Sequence, residues 1–339
     1  MEIYRQVWRL TMNDQKQRGH GPALKRRGRG CLLWLGASLA AFLGLMLVGH
    51  IYEPIAEAAD AKAYPPPGQL VDVGGHRLHI NCTGTGSPTV VIEAGLGDWS
   101  TSWGFVQPEV AKTTRVCTYD RAGLGWSEAA AQPGDVAQFA AELHTLLQNA
   151  NVPGPYVMVG HSLGGFIVRV FAHDYASEVA GVVLVDSMNP KQVTESLSNK
   201  LALFSSIEAA VARVGIGRLL VKLPAIAPSL PAGDEAYYPL LFRPQTYQTT
   251  ANEYRELPAS ATEAGAVTSF GDLPLIVLTA KLNDNPGWPE WQNELLQLSS
   301  NSEHLFAENS GHVIQFDQPD AAVSAILKMV ELVRQSTQK

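Results

Sequence analysis

The chain has 339 residues, 46% of them hydrophobic and 17% charged, with a formal net charge of −7 at pH 7. That composition excludes a disordered polar chain and a polytopic membrane protein, and it leaves enough apolar residues for a full-sized core. Eight Lys and Arg lie in the first 30 residues against only Glu2 and Asp14, so the remainder is more acidic than the whole. A nucleic-acid partner, which needs a basic face, is excluded with it.

In chain order, residues 1–30 form a basic tail, and Cys31 to Val48, "CLLWLGASLAAFLGLMLV", follow as 18 residues without a charge. With Gly49 to Tyr52 the run crosses a bilayer core as a helix. The charge bias predicts a single-pass anchor over 31–52, with the tail cytoplasmic and everything after it outside the cytoplasm. The competing expectation is a signal sequence cleaved within "IAEAADAKA", near Ala56 and Ala58. Residues 53–70, ending in "AYPPPGQL", read as a proline-rich linker, and 71–339 as the folded domain.

Within that domain, "QLVDVGGHRLHINC" predicts two short strands about a Gly74-Gly75 turn. Apolar, β-branched runs then recur: "TVVIEAG", "TRVCTYD", "YVMVGHS", "GVVLVDS", "LPLIVLT" and "HLFAENS". They are apolar on both faces, as strands of a buried, mostly parallel sheet are. Between them Val136, Phe139, Leu143, Leu146 and Leu147, then Leu163, Phe166, Ile167, Val170 and Phe171, repeat at helical spacing, as do Val323, Ile326, Leu327 and Val330. Alternating strands and helices predict an α/β sheet covered on both faces.

Ser162 lies in Gly160-His161-Ser162-Leu163-Gly164, directly after a predicted strand and at the start of a predicted helix. A turn that sharp strains the serine backbone, and a β-carbon two residues to either side would collide with it, which accounts for the glycines. The turn presents the hydroxyl and leaves the Leu163 N–H at a helix N-terminus facing the same point. A hydroxyl attacks only if a base takes its proton and a carboxylate orients that base. His312, in "ENSGHVIQFDQPD" between the last strand and the last helix, is the expected base. The other histidines read as tail, hairpin or helix-surface residues, and His161 as a packing or hydrogen-bonding neighbour of the pocket. For the acid, "VLTAKLNDNPGW" offers Asp284 after the strand preceding His312, which we favour by position; Asp186, ending "GVVLVDS", is the alternative.

The elbow "GHSLGG", the "YDRAGLGWS" turn, the strand "VVIEAGLG" and the late "SGH" together make the chain resemble the α/β-hydrolase superfamily from about Val71 to Val333. The resemblance implies a twisted, mostly parallel eight-stranded sheet flanked by helices, with a helical cap at about 187–272. Leu201, Phe204, Leu219, Leu220, Tyr237 and Tyr238 are among the residues that give this cap its apolar surface. The family usually has His-Gly where this chain has Ala94-Gly95, so the second oxyanion donor, carried over by position, is the Leu96 N–H with Gly95 as the alternative. Asp120 and Arg121 are expected to fix loop geometry, and Trp99 and Trp103 to line the pocket. Cys82 and Cys117 fall on strands that neighbour one another in the family, which implies a disulfide in an exported chain.

The function so implied is an exported, membrane-anchored serine hydrolase that cleaves carboxylic esters, of esterase or lipase type, with a hydrophobic ester as substrate and neither cofactor nor metal. An acyltransferase or peptidase on the same fold, or a non-catalytic ligand-binding module, would share much of this sequence pattern. An acceptor assay separates the first two, and labelling by a serine-directed reagent separates the last.

Overall fold

The computed structural model describes residues 27–216, 218 and 237–337. The basic tail up to residue 26 lies outside the described residues, as do Leu219, Leu220 and the side chains of Tyr237 and Tyr238. The chain divides into two units, Met1–Val48 and Gly49–Lys339.

In the first unit the apolar run is helical, and from Leu33 to Val48 its side chains are exposed, Met46 only in part. It belongs to helix α1 (Arg27–Ala63), whose part from Leu33 onward is long and apolar enough to cross a membrane, with a mean hydropathy of 1.8 in its most apolar window. The linker expected from residue 53 therefore begins later than the sequence suggested. "EAADAKA" is rich in strong helix formers, and the helix continues through Pro54 to Ala63 before the prolines at 65–67 end it. Within the second unit Glu53 is buried and pairs with Arg218.

The second unit is built on an eight-stranded sheet of order β1-β2-β4-β3-β5-β6-β7-β8. The strands are β1 (Gln69–Asp72), β2 (Arg77–Thr83), β3 (Thr89–Glu93), β4 (Val116–Tyr119), β5 (Tyr156–His161), β6 (Val179–Val185), β7 (Leu275–Ala280) and β8 (Ser302–Ala307). The β1–β2 and β2–β4 pairs are antiparallel and every other pair is parallel. Each predicted apolar run is one of these strands.

The central strands are apolar throughout because successive side chains enter different cores. Val157, Val159, Val183, Val185, Ile276 and Leu278 pack with Ile326, Met329 and Val330 of the C-terminal helix. Their neighbours Met158, Val182, Leu184 and Val277 pack with Leu143, Leu146, Phe166 and Phe171 on the opposite face. This is the period-2 arrangement of a strand covered on both sides. The covering helices are α2 (Gln107–Ala111), α3 (Val136–Asn149) and α4 (Gly164–Asp174), and after β7 come α8 (Trp288–Leu295), α9 (Ile314–Asp317) and α10 (Pro319–Thr337).

Between β6 and β7 the chain leaves the sheet for the cap, with α5 (Glu195–Ala212), α6 (Tyr237–Leu241) and α7 (Pro244–Ala266). The buried face of α5 is Ser198, Ala202, Ser205, Ala209 and Ala212, small residues that let it lie close to α7. Towards the β1 end of the sheet Cys82 and Cys117 face each other across the antiparallel β2–β4 pair and are joined by a disulfide.

Candidate active site

The turn between β5 and α4 holds Ser162 at φ 51°, in the left-handed region that a non-glycine residue rarely enters. Its flanking glycines have a steric cause. A Cβ at Gly160 would lie 2.6 Å from the carbonyl oxygen of Gly164, and one at Gly164 would lie 2.6 Å from that of Glu93. The strain is held by backbone bonds: the Ser162 carbonyl accepts from the N–H groups of Gly165 and Met188.

His312 stands on the loop after β8. Its Nε2 lies 3.0 Å from Ser162 Oγ and its Nδ1 lies 2.7 Å from Asp186 Oδ2. The carboxylate at the histidine is thus Asp186, and Asp284 is exposed on the loop beyond β7. The reason is topological. β6 adjoins the elbow strand β5, whereas β7 is one strand further out, and Asp186 follows β6 without an intervening loop.

Three further donors hold the fully buried Asp186. Ala280 N and Trp288 Nε1 donate to Oδ1 at 2.9 and 2.8 Å, and Asn283 Nδ2 donates to Oδ2 at 2.8 Å. The loop that was expected to supply the acid instead supplies Asn283, next to Asp284, as a donor to it. With the carboxylate ionised, His312 Nδ1 carries the proton that it donates, which leaves Nε2 free to accept from the serine hydroxyl.

His161 points away from the serine and supports the histidine loop. Its Nε2–H donates to the carbonyl oxygen of His312 at 2.9 Å, and its Nδ1 faces Gln315 Nε2 at 3.4 Å. Burial, and then the proximity of His312, push its pKa down to about 4, so this ring is neutral at physiological pH.

The loop after β3 is set from below by Arg121. Its guanidinium donates to Ala94 O (2.8 Å), Gly95 O (2.5 Å), Glu93 Oε1 (2.6 Å) and Glu253 Oε1 (2.7 Å). Glu253 belongs to cap helix α7, and its other oxygen accepts from Gly97 N at 2.6 Å. In a trans peptide the N–H points opposite to the preceding C=O. With Gly95 O drawn to Arg121, the Leu96 N–H therefore faces the other way. Among the described residues neither the Leu96 nor the Leu163 N–H has an acceptor. Burial works against the Arg121 charge, and Glu253 and Glu93 outweigh it and hold the guanidinium protonated.

Beyond Ser162 and His312 opens a cavity of about 240 Å³, walled by Leu96, Met188, Leu197, Leu201, Leu257 and Trp288. Trp99 and Trp103, expected there, lie in the interior. The 3-10 turn Ser100–Trp103 drives both indoles inward, and Trp103 presents an edge to His161 at 6.4 Å between ring centroids. Sequence reading missed Glu253 and Trp288. Glu93 did carry a signal, since a carboxylate inside an apolar strand needs a cation, and Arg121 was close at hand.

A strand-to-helix elbow with a serine, a histidine and a buried carboxylate in line, on a sheet of this order, is the arrangement of the α/β-hydrolase fold. The comparisons agree. The family model of the alpha/beta hydrolase fold matches residues 88–206. A solved esterase from Thermogutta terrifontis superposes with a TM-score of 0.60 at 21% identity, over 78% of this chain and 98% of its own. Epoxide hydrolase CorEH does so with a TM-score of 0.62 at 20% identity, over 77% and 97%. An uncharacterized protein of Schizosaccharomyces pombe is 33% identical over 164 residues, 40% of this chain and 31% of the relative, so the chain spans less than a third of that relative's length. The chain thus has the α/β-hydrolase fold, and residues 88–206 match that family's model.

Proposed function

We propose that this protein is a membrane-anchored serine hydrolase that cleaves carboxylic esters through an acyl-enzyme. The observation that carries the proposal is the position of His312, 3.0 Å from Ser162 Oγ and 2.7 Å from Asp186 Oδ2. Ser162 Oγ attacks the ester carbonyl carbon while its proton passes to His312 Nε2, and Asp186 stabilises the resulting imidazolium. The tetrahedral oxyanion is received by the N–H groups of Leu96 and Leu163. As the C–O bond to the alcohol breaks, His312 returns the proton to the leaving alkoxide. Water, deprotonated by the same nitrogen, then attacks the acyl-enzyme and releases the carboxylic acid and the free serine.

The nucleophile's chemistry separates this reading from that of an epoxide hydrolase on the same fold. A serine that opened an epoxide would form an ether, which an activated water does not cleave, whereas acylation gives an ester that it does. The apolar cavity walls suit a hydrophobic acyl group.

The anchor and its orientation rest on the apolar run and the basic residues before it. The Cys82–Cys117 disulfide is consistent with a body in an oxidising compartment. Protease added to intact cells or spheroplasts should digest the body; protection until lysis would reverse the orientation. Release of nitrophenol from a short-chain nitrophenyl ester tests the chemistry. The parent should turn over, and a folded Ser162→Ala variant should lose several orders of magnitude.

A further inference from the structure

Helix α5 has an outer face that nothing among the described residues explains as packing. Leu203, Phe204 and Ile207 are 63%, 60% and 53% exposed, and Leu197 and Val211 are exposed beside them. At 100° per residue all five fall on the side of the helix opposite the buried stripe of Ser198, Ala202, Ser205 and Ala209. A patch of large apolar side chains on the outside of a folded body marks an interaction surface.

Each end of this face has a fixed neighbour. At the N-terminal end Leu197 and, one helical turn on, Leu201 wall the cavity that opens on Ser162. At the C-terminal end Val214, two residues beyond the helix, packs on Gly49, where a Cβ would lie 2.2 Å from the Val214 carbonyl oxygen. Gly49 is the residue that follows the 18-residue apolar run. The ion pair of Arg218 with Glu53, Nε to Oε1 2.8 Å, reinforces the attachment just beyond. The exposed face therefore runs from the point where the chain leaves its apolar segment to the mouth of the cavity.

We infer that α5 lies on the bilayer surface and that the substrate is a bilayer-resident ester of an aliphatic acyl chain, which enters from the leaflet past Leu197. The inference rests on the reading of Ser162 as an esterase nucleophile and of the apolar run as an anchor. A helix with this distribution buries its apolar side in the headgroup and acyl boundary. Lys200, on the same face, extends its ammonium along that surface to the headgroups. Delivery from the leaflet spares the acyl chain a passage through water, in which every CH₂ would be exposed at a cost in free energy.

The test uses the full chain reconstituted in phosphatidylcholine vesicles. In the variant Leu203→Asp/Phe204→Asp/Ile207→Asp, none of whose residues lines the cavity, hydrolysis of a soluble acetyl nitrophenyl ester should match the parent, while hydrolysis of a long-chain nitrophenyl ester dissolved in the bilayer should fall at least tenfold. Equal rates on both substrates, or an equal loss on both, would overturn the inference. A second measurement is independent of catalysis. A nitroxide on Ile207→Cys, in a Cys31→Ser background, should collide with oxygen and be shielded from a water-soluble nickel chelate. Chelate access equal to that of a label on Asp284→Cys, or shielding from both reagents, would place α5 in water or under protein and overturn the inference even in an inactive enzyme. Failure of the parent on the soluble ester, with the label in lipid, would instead refute the esterase reading alone.

Discussion

His312 and Asp186 are 126 residues apart in the chain, and Nδ1 of the one lies 2.7 Å from Oδ2 of the other. The carboxylate is wholly buried and accepts three more hydrogen bonds, so it is ready to orient the ring without rearranging. Replacement by Asn keeps the shape but puts a donor where the imidazole N–H must be received. Asp186→Asn is expected to lower kcat by about 10⁴, the order found when a triad acid is so replaced. Asp284→Asn, on an exposed loop, should stay within about twofold of the parent. Steady-state kinetics on a soluble nitrophenyl ester distinguish the two, and the reverse ranking would return the role to Asp284.

The buried pair of Arg121 and Glu253 joins the cap to the loop that carries Leu96. Removing the charge of Glu253 leaves Arg121 with one carboxylate, Glu93, in a site closed to water. Breaking a buried pair of this kind costs about 3–5 kcal/mol. Glu253→Gln should show a loss of that order in urea unfolding and a fall in kcat with little change in KM, since Glu253 does not wall the cavity. Glu263→Gln, also on α7, should lose far less. Equal losses for the two would mean that the Arg121 pair does not hold the loop.

His161 gives a pH dependence. In the folded protein burial holds its pKa at about 4, against 6.5 for the free group. Between those values the unfolded chain binds the extra proton, so the stability it contributes is present above pH 6.5 and is lost as pH falls, by about 1.4 kcal/mol per unit. His161→Gln can still donate to the His312 carbonyl and does not titrate. The stability advantage of the parent over this variant should therefore shrink from pH 6.5 to pH 4.5. Parallel stability curves would show that His161 titrates normally.

The Cys82–Cys117 bond closes a loop over a sequence separation of 35 residues. Restricting the unfolded chain by a loop of that length stabilises the fold by about 3–4 kcal/mol. The Cys82→Ser/Cys117→Ser variant should unfold at correspondingly lower urea. Unreduced peptide mapping of the parent should recover the linked pair, and two free alkylated thiols would exclude the bond.

Much of the fold was legible because local and tertiary demands coincide. Buried parallel strands must be apolar on both faces, so "YVMVGHS" and "GVVLVDS" identify themselves, and the glycines around Ser162 are there for a steric reason that a sequence displays. The acid was not legible, because two aspartates followed two strands and only the sheet order decides which one meets His312. Glu253 was hidden for a related reason: a cap residue reaches the loop after β3 across 156 residues of sequence, and no periodicity reports such a contact. The indoles of Trp99 and Trp103 turned inward because a short 3-10 turn reverses the chain there, and composition alone does not fix that direction.

The central claim is that Ser162 is a nucleophile activated by His312. The most direct measurement is covalent labelling of the full-length protein with a fluorophosphonate, followed by peptide mass spectrometry. The account predicts one phosphonyl adduct, on the peptide containing Ser162, absent from Ser162→Ala and formed far more slowly in His312→Ala. A folded parent that stays unlabelled, or that carries its adduct on another residue, would contradict it.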